Sequence, residues 1–185
     1  MAHKNENDLR VLKTKQNIRR TFINMLCEMD FEKITVKELA ERAMINRKTF
    51  YSHYDSLDIL LQKLQNEMAQ EFIKRTKNMK RPKDLDKVTR EFFIYSEELG
   101  KFGEKLNCSD SHVSKQITDF LMQQTWNLPK EYSSPYVQNI IKSFVSQATL
   151  IIYRQWLKDE KKLSLDEIIK LASKLICNGV NNLEK

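Results

Sequence analysis

The sequence predicts an all-α fold in two parts, a small N-terminal domain over residues 1–62 and a larger helical domain over residues 63–185. Three observations carry that prediction. Glycine and proline number three each in 185 residues, so helix breakers are scarce. Apolar residues recur at spacings of three and four along most of the chain, which gathers them on single faces of successive helices. Two Ser/Thr-x-x-Glu boxes, Thr35 to Glu38 and Ser164 to Glu167, mark helix starts.

Residues 1–13 are polar and charged without apolar periodicity and are expected as a flexible basic arm leading into the first helix. Ile18, Phe22, Leu26 and Met29 then align on one face of a helix ending near Asp30. Thr35 opens a short second helix carrying Val36, Leu39, Ala40 and Ala43. Met44-Ile45-Asn46 interrupts it, and Asn46 caps a third helix, expected to reach Tyr54, with Phe50 and Tyr54 inward four apart. Two short helices across a tight turn make a helix-turn-helix, so the first domain reads as a three-helix unit of that kind.

Ser56 caps a longer fourth helix with Leu57, Leu60, Leu61, Leu64, Met68 and Phe72 on one stripe, reaching roughly to Met79, and the domain boundary falls inside it. A basic stretch with Pro82 breaks the chain near Arg81-Pro82. Leu85, Val88, Phe92 and Tyr95 predict a helix, Gly100 and Gly103 a bend, and Val113, Ile117, Phe120 and Leu121 another helix before a loop between Pro129 and Pro135. The strongest apolar stripe follows, from Val137, Ile140, Ile141, Phe144 and Val145 through Ala148, Ile151 and Ile152 to Trp156. Ser164 starts a last helix with Ile168, Ile169, Ala172, Leu175 and Ile176, which Gly179 is expected to end.

Composition narrows the function classes. With 41% hydrophobic residues the chain has ample material for a buried core, and its formal net charge of +7 favours a polyanionic partner. No apolar run approaches the roughly 18–20 residues of a membrane span, and MAHKNENDLR lacks a signal peptide's apolar stretch, so a cytoplasmic protein without a membrane partner is expected. Cys27, Cys108 and Cys177 are far apart and form no CxxC, which argues against a disulfide framework or a zinc site; no metal or cofactor is expected. His3, His53 and His112 fall in an arm, a helix and a loop, with no HExxH, GxSxG or glycine-rich phosphate loop, so the chain does not read as an enzyme.

The third helix has the chemistry of a reading head. A helix in the major groove buries one side in its own domain and shows bases and phosphates its other side and N-terminal end. Phe50 and Tyr54 supply the buried side, which leaves Asn46, Arg47, Lys48, Thr49, Tyr51, Ser52 and His53 at the N-terminus or on the outer arc. Arg47 and Lys48 can donate to guanine O6 and N7, and the hydroxyls of Thr49 and Tyr51 to phosphate oxygens.

Thr35-Val-Lys-Glu-Leu-Ala40, a short turn, Thr49-Phe-Tyr-Ser-His-Tyr54 and Leu60-Leu61 together resemble the DNA-binding domain of the TetR/AcrR family of bacterial transcriptional regulators over about residues 10–62. A looser likeness extends to Phe144-Val-Ser, Trp156-Leu and the last helix. The resemblance implies that Arg47, Lys48, Thr49, Tyr51 and His53 lie on the recognition helix, while Thr35 and Lys37 open the preceding helix and reach the backbone or an adjacent base. One departure stands out. Many members place a phosphate-binding Lys where this chain has Leu57, which weakens the grip and lowers the salt slope of binding by about one.

A lone helix-turn-helix reads few base pairs, so a homodimer on a near-palindromic operator of double-stranded DNA is expected, and a repressor sooner than an activator. The last two helices are the candidate dimer interface, through Phe144, Ala148, Ile151, Ile152, Ile168, Ala172 and Leu175. The resemblance also implies a small-molecule effector in the C-terminal domain. Phe92, Tyr95, Phe120, Met122, Trp126, Tyr132, Phe144 and Tyr153 are candidate lining, and a protein partner acting on the same domain is the alternative.

Overall fold

The first helix, α1, runs from Ala2 to Glu28 in the structure, a computed structural model that describes residues 2–80, 83–108 and 134–181. Residues 2–13, expected as a flexible arm, are therefore helical; their Leu, Lys and Arg are good helix formers, and no Gly or Pro interrupts them. Farther along, α1 buries Ile18, Phe22, Met25 and Leu26. A 3-10 turn, Phe31–Lys33, follows, with Phe31 edge-on to Phe22 at 6.2 Å.

Thr35 caps α2 (Val36–Arg42), its Oγ1 accepting the Glu38 N–H at 3.2 Å. The Glu38 carboxylate meets Arg42 at 2.8 Å, so the threonine half of the expected box does the capping. The helix ends in a Schellman turn: the Met44 N–H donates to Glu41 O at 3.1 Å and the Ile45 N–H to Ala40 O at 2.9 Å. Met44 takes the left-handed position, with φ 52°.

Asn46 caps α3 (Arg47–Tyr51), its Oδ1 accepting the Lys48 N–H at 2.9 Å. This helix is shorter than the stretch to Tyr54 that sequence predicts. The His53 N–H turns back to Phe50 O at 2.9 Å, and that tight turn lets both Phe50 and Tyr54 enter the core. Burying a ring the size of Phe50 contributes roughly 1.5–3 kcal/mol. Ser56 then caps α4 (Leu57–Thr76) by accepting the Ile59 N–H at 3.2 Å, and α4 buries Leu60, Leu61, Leu64, Met68, Ala69 and Phe72.

The chain divides into two compact units within α4, Met1–Glu67 and Met68–Lys185. In the second unit α5 (Leu85–Glu98) packs on α8 (Leu165–Asn181), α8 on α7 (Pro135–Lys158), and α6 (Lys101–Cys108) on both α5 and α7. One cluster joins Leu85, Ile141, Val145, Ile176 and Val180; another joins Phe93, Tyr153, Trp156, Ile168, Ile169 and Ala172. Ser164 and Glu167 form a reciprocal capping box: Glu167 Oε2 accepts the Ser164 N–H at 2.8 Å, and Ser164 Oγ accepts the Glu167 N–H at 3.3 Å. Among the described residues no helix is long and apolar enough to cross a membrane.

Several expectations in this unit are corrected. Phe93 is the fully buried aromatic of α5, while Phe92 and Tyr95 are half-buried, because the face turned toward α8 lies one position away from the one read by periodicity. Gly100, at φ 56°, makes the bend, but Gly103 lies inside α6, where a Cβ would stand 2.2 Å from Ser96 O. Gly179 does not end α8; it lies within the helix against the Phe144 ring. The helix expected through Val113 and Leu121 and the loop after Pro129 lie outside the described residues.

Candidate nucleic-acid interface

The outer face of the first unit is built by caps and anchors. Thr35 fixes the start of α2 and Asn46 that of α3, while Phe50 and Tyr54 hold α3 from beneath, with ring centroids 5.8 Å apart. Lys37, Arg47, Lys48 and Tyr51 are left exposed; Thr49 and His53 are half-buried. Among the described residues no carboxylate pairs with Lys37, Arg47 or Lys48, so their charges are uncompensated. The surface can donate to acceptors on base edges and phosphates.

Other expected contacts have internal duties. Asn46 Oδ1 is used by its cap, which leaves its amide nitrogen to face outward. Ser52 follows α3 as its C-cap, and its hydroxyl donates to Thr49 O at 2.7 Å. His53 lies beyond the helix, in the turn. Burial, and then the positive charge of Lys15, hold its imidazole below the ordinary histidine range. Lys15 lies on α1, and no local signal in the sequence links it to a residue so distant in the chain.

Arg19 and Arg20, from the same basic stretch, are engaged: Arg19 Nε meets Glu67 at 2.7 Å, and Arg20 donates to Asn17 Oδ1 at 3.3 Å. Asn17 itself donates to Ala43 O at 2.7 Å and ties α1 to the end of α2. Arg42 links Glu28 and Glu38, which raises its pKa, through the hydrogen bond it donates to Glu28 first. Sequence reasoning missed Asn17 and Arg42 because Ala43 and Glu28, the partners that tie them across the unit, lie on other elements. Leu57 is half-buried at the start of α4 and presents no charge.

The comparisons with known proteins bear on this architecture. No family model matches the sequence. A crystal structure of a TetR transcriptional regulator from Streptococcus agalactiae 2603V aligns over 92% of this chain and 97% of its own, with TM-score 0.71 and 23% identity. This chain has the TetR fold. Another TetR-fold match is NalD, the secondary repressor of the MexAB-OprM multidrug efflux pump in Pseudomonas aeruginosa, at TM-score 0.69 and 14% identity over 92% of this chain and 96% of that one. In sequence, an uncharacterized HTH-type transcriptional regulator, YxbF of Bacillus subtilis (strain 168), is 33% identical over 67 residues, covering 36% of this chain and 18% of that protein.

Within the TetR fold, the second unit sorts the remaining expected sites. Of the effector-pocket set, Phe120, Met122 and Trp126 lie outside the described residues, as does Tyr132. Tyr153 is core: fully buried, its ring stands 5.5 Å from Phe93 and 5.9 Å from Trp156, and its hydroxyl donates to Glu97 at 2.8 Å. Phe92 packs edge-on against Tyr153 at 5.8 Å, and Tyr95 stacks under Arg75 at 4.8 Å. Phe144 is 45% exposed on α7, with its ring against Gly179 of α8.

Of the dimer set, Ile168 and Ala172 are corrected to core residues, buried in the Phe93 and Tyr153 cluster. Ala148 is half-buried against the Leu85 and Ile141 cluster, and Ile152 against both clusters. Phe144, Ile151 and Leu175 remain exposed, joined on α7 by Ile140 at 70% exposure. The apolar stripe of α7 is thus wider than its own core needs and leaves a second apolar face open.

Proposed function

We propose that the protein is a sequence-specific DNA-binding transcriptional regulator, a repressor that grips a near-palindromic operator as a homodimer. The observation that carries this reading is the presentation of Arg47 and Lys48: two cations with no carboxylate partner among the described residues, on a capped helix whose other side is anchored by Phe50 and Tyr54. Lys37 and Thr35 on α2 and Tyr51 on α3 supply the flanking backbone contacts, and the open α7 face supplies the isologous interface that spaces two reading heads. NalD, which shares the fold, is a repressor, and this supports the direction of regulation. An effector acting on the second unit releases the operator by preferring the arrangement that does not fit DNA. The solid packing around Tyr153 favours a second reading in which that effector is a protein partner instead of a small molecule.

Selection from genomic fragments followed by footprinting tests the claim. A near-palindromic site is expected. Arg47→Ala should relax base preference at particular positions at a cost of about 1–3 kcal/mol, whereas Lys37→Ala should weaken binding evenly and lower the salt slope by about one. Equal affinity for random and genomic DNA at physiological salt would sink the reading.

A further inference from the structure

Two recesses in the first unit make one trough along α1. The larger, about 750 Å³, is lined by Leu9, Arg10, Lys13 and Thr14 of α1 with Met44 and Ile45 opposite. The smaller, about 500 Å³, runs on past Arg20, Thr21 and Asn24 to Glu28 and Arg42. Asn17, Ala43 and Met44 belong to both. From Leu9 to Glu28 the trough is roughly 28 Å long at the helical rise, room for a partner helix of about five turns.

We propose that this trough is the docking surface for an acidic amphipathic helix of another protein. Met44 is 93% exposed while held at φ 52°, so a large apolar side chain stands in water at a position where its backbone is strained. Leu9 faces it across the larger recess at 53% exposure. Such a pair forms the apolar anchor of a helix-in-groove site. Charge selects the partner. Arg10 and Lys13 line the larger recess with no carboxylate among its described lining. At the other end Arg42 is already paired with Glu28 and Glu38, while Arg20 donates to the neutral Asn17 amide oxygen and keeps its charge. The partner's carboxylates therefore belong near Arg10 and Lys13, and its apolar stripe over Met44. A DNA backbone fits less well, since its evenly spaced phosphates would lie against the apolar Leu9, Ala43, Met44 and Ile45 as well as against the cations.

The test uses the full chain and a fluorescein-labelled helical peptide of about 18 residues, with leucines at helical spacing and glutamates flanking them, beside its lysine counterpart and a scrambled version. Fluorescence anisotropy should show saturable binding of the acidic peptide at least about tenfold tighter than the other two. Met44→Glu and, on the opposite wall, Leu9→Glu should each weaken it about tenfold with the thermal melt retained, and Lys13→Glu should turn the preference toward the lysine peptide. Equal binding of the three peptides, no saturable binding, or indifference to both wall variants overturns the proposal. So does a loss of random-duplex affinity in those variants with peptide binding unchanged, which would assign the trough to nucleic acid.

Discussion

Met44 holds a conformation that glycine holds without strain. Its φ of 52° closes the Schellman turn between α2 and α3, and its side chain packs on almost nothing. Met44→Gly should therefore raise stability by about 0.5–1 kcal/mol, the relief of left-handed strain less the entropy a glycine adds to the unfolded chain, read as a higher melting temperature. Gly103 makes the opposite case. An alanine Cβ there would stand 2.2 Å from the Ser96 carbonyl, which is fixed backbone, so Gly103→Ala should cost about 2 kcal/mol or more in urea denaturation. Both glycine-type positions show how far residue type alone leads: the sequence names Gly103 as a bend, but the reason for it is a close approach between α5 and α6.

At the scale of elements, local chemistry governs where helices begin. Thr35, Asn46, Ser56 and Ser164 all cap as their spacing predicts, because a cap is settled within four residues. Helix ends are less local. α3 stops at Tyr51 because Tyr54 must turn into the core, and α8 passes through Gly179 because Phe144 needs its bare backbone. The capping box of α8 also carries a pH dependence. Hydrogen bonds from the Ser164 hydroxyl, then from its backbone N–H, hold the Glu167 carboxyl below its usual range. A depressed folded-state pKa stabilises fully above the unfolded value of about 4.3 and is lost as pH falls through the folded one. Thermal melts should show Glu167→Gln less stable than the parent chain near pH 7, with the gap closing in acid below about pH 4.

For the whole molecule, the proposed homodimer rests on the open α7 face. Ile140 and Ile151 are 70% and 62% exposed, so they add little to the fold of one chain. Ile140→Asp with Ile151→Asp should yield monomers in sedimentation equilibrium, with a helical circular-dichroism spectrum and operator affinity reduced by at least about tenfold through loss of avidity. A parent chain that is itself monomeric at working concentration would contradict the dimer.

The sequence by itself determined that the chain is helical, where the helices capped by Thr35, Asn46, Ser56 and Ser164 start, and which side of α3 faces outward, since propensity, caps and i, i+4 anchors act over a few residues. Only the tertiary structure decided that Phe93 and not Phe92 is central, that Ile168 and Ala172 are core while Phe144 and Ile151 are open, that Arg19 is spent on Glu67, and that Lys15 acts on His53. The reason is physical. A helix with a broad apolar stripe satisfies its own periodicity whichever half it buries, and the choice is made by the helix that packs against it from elsewhere in the chain.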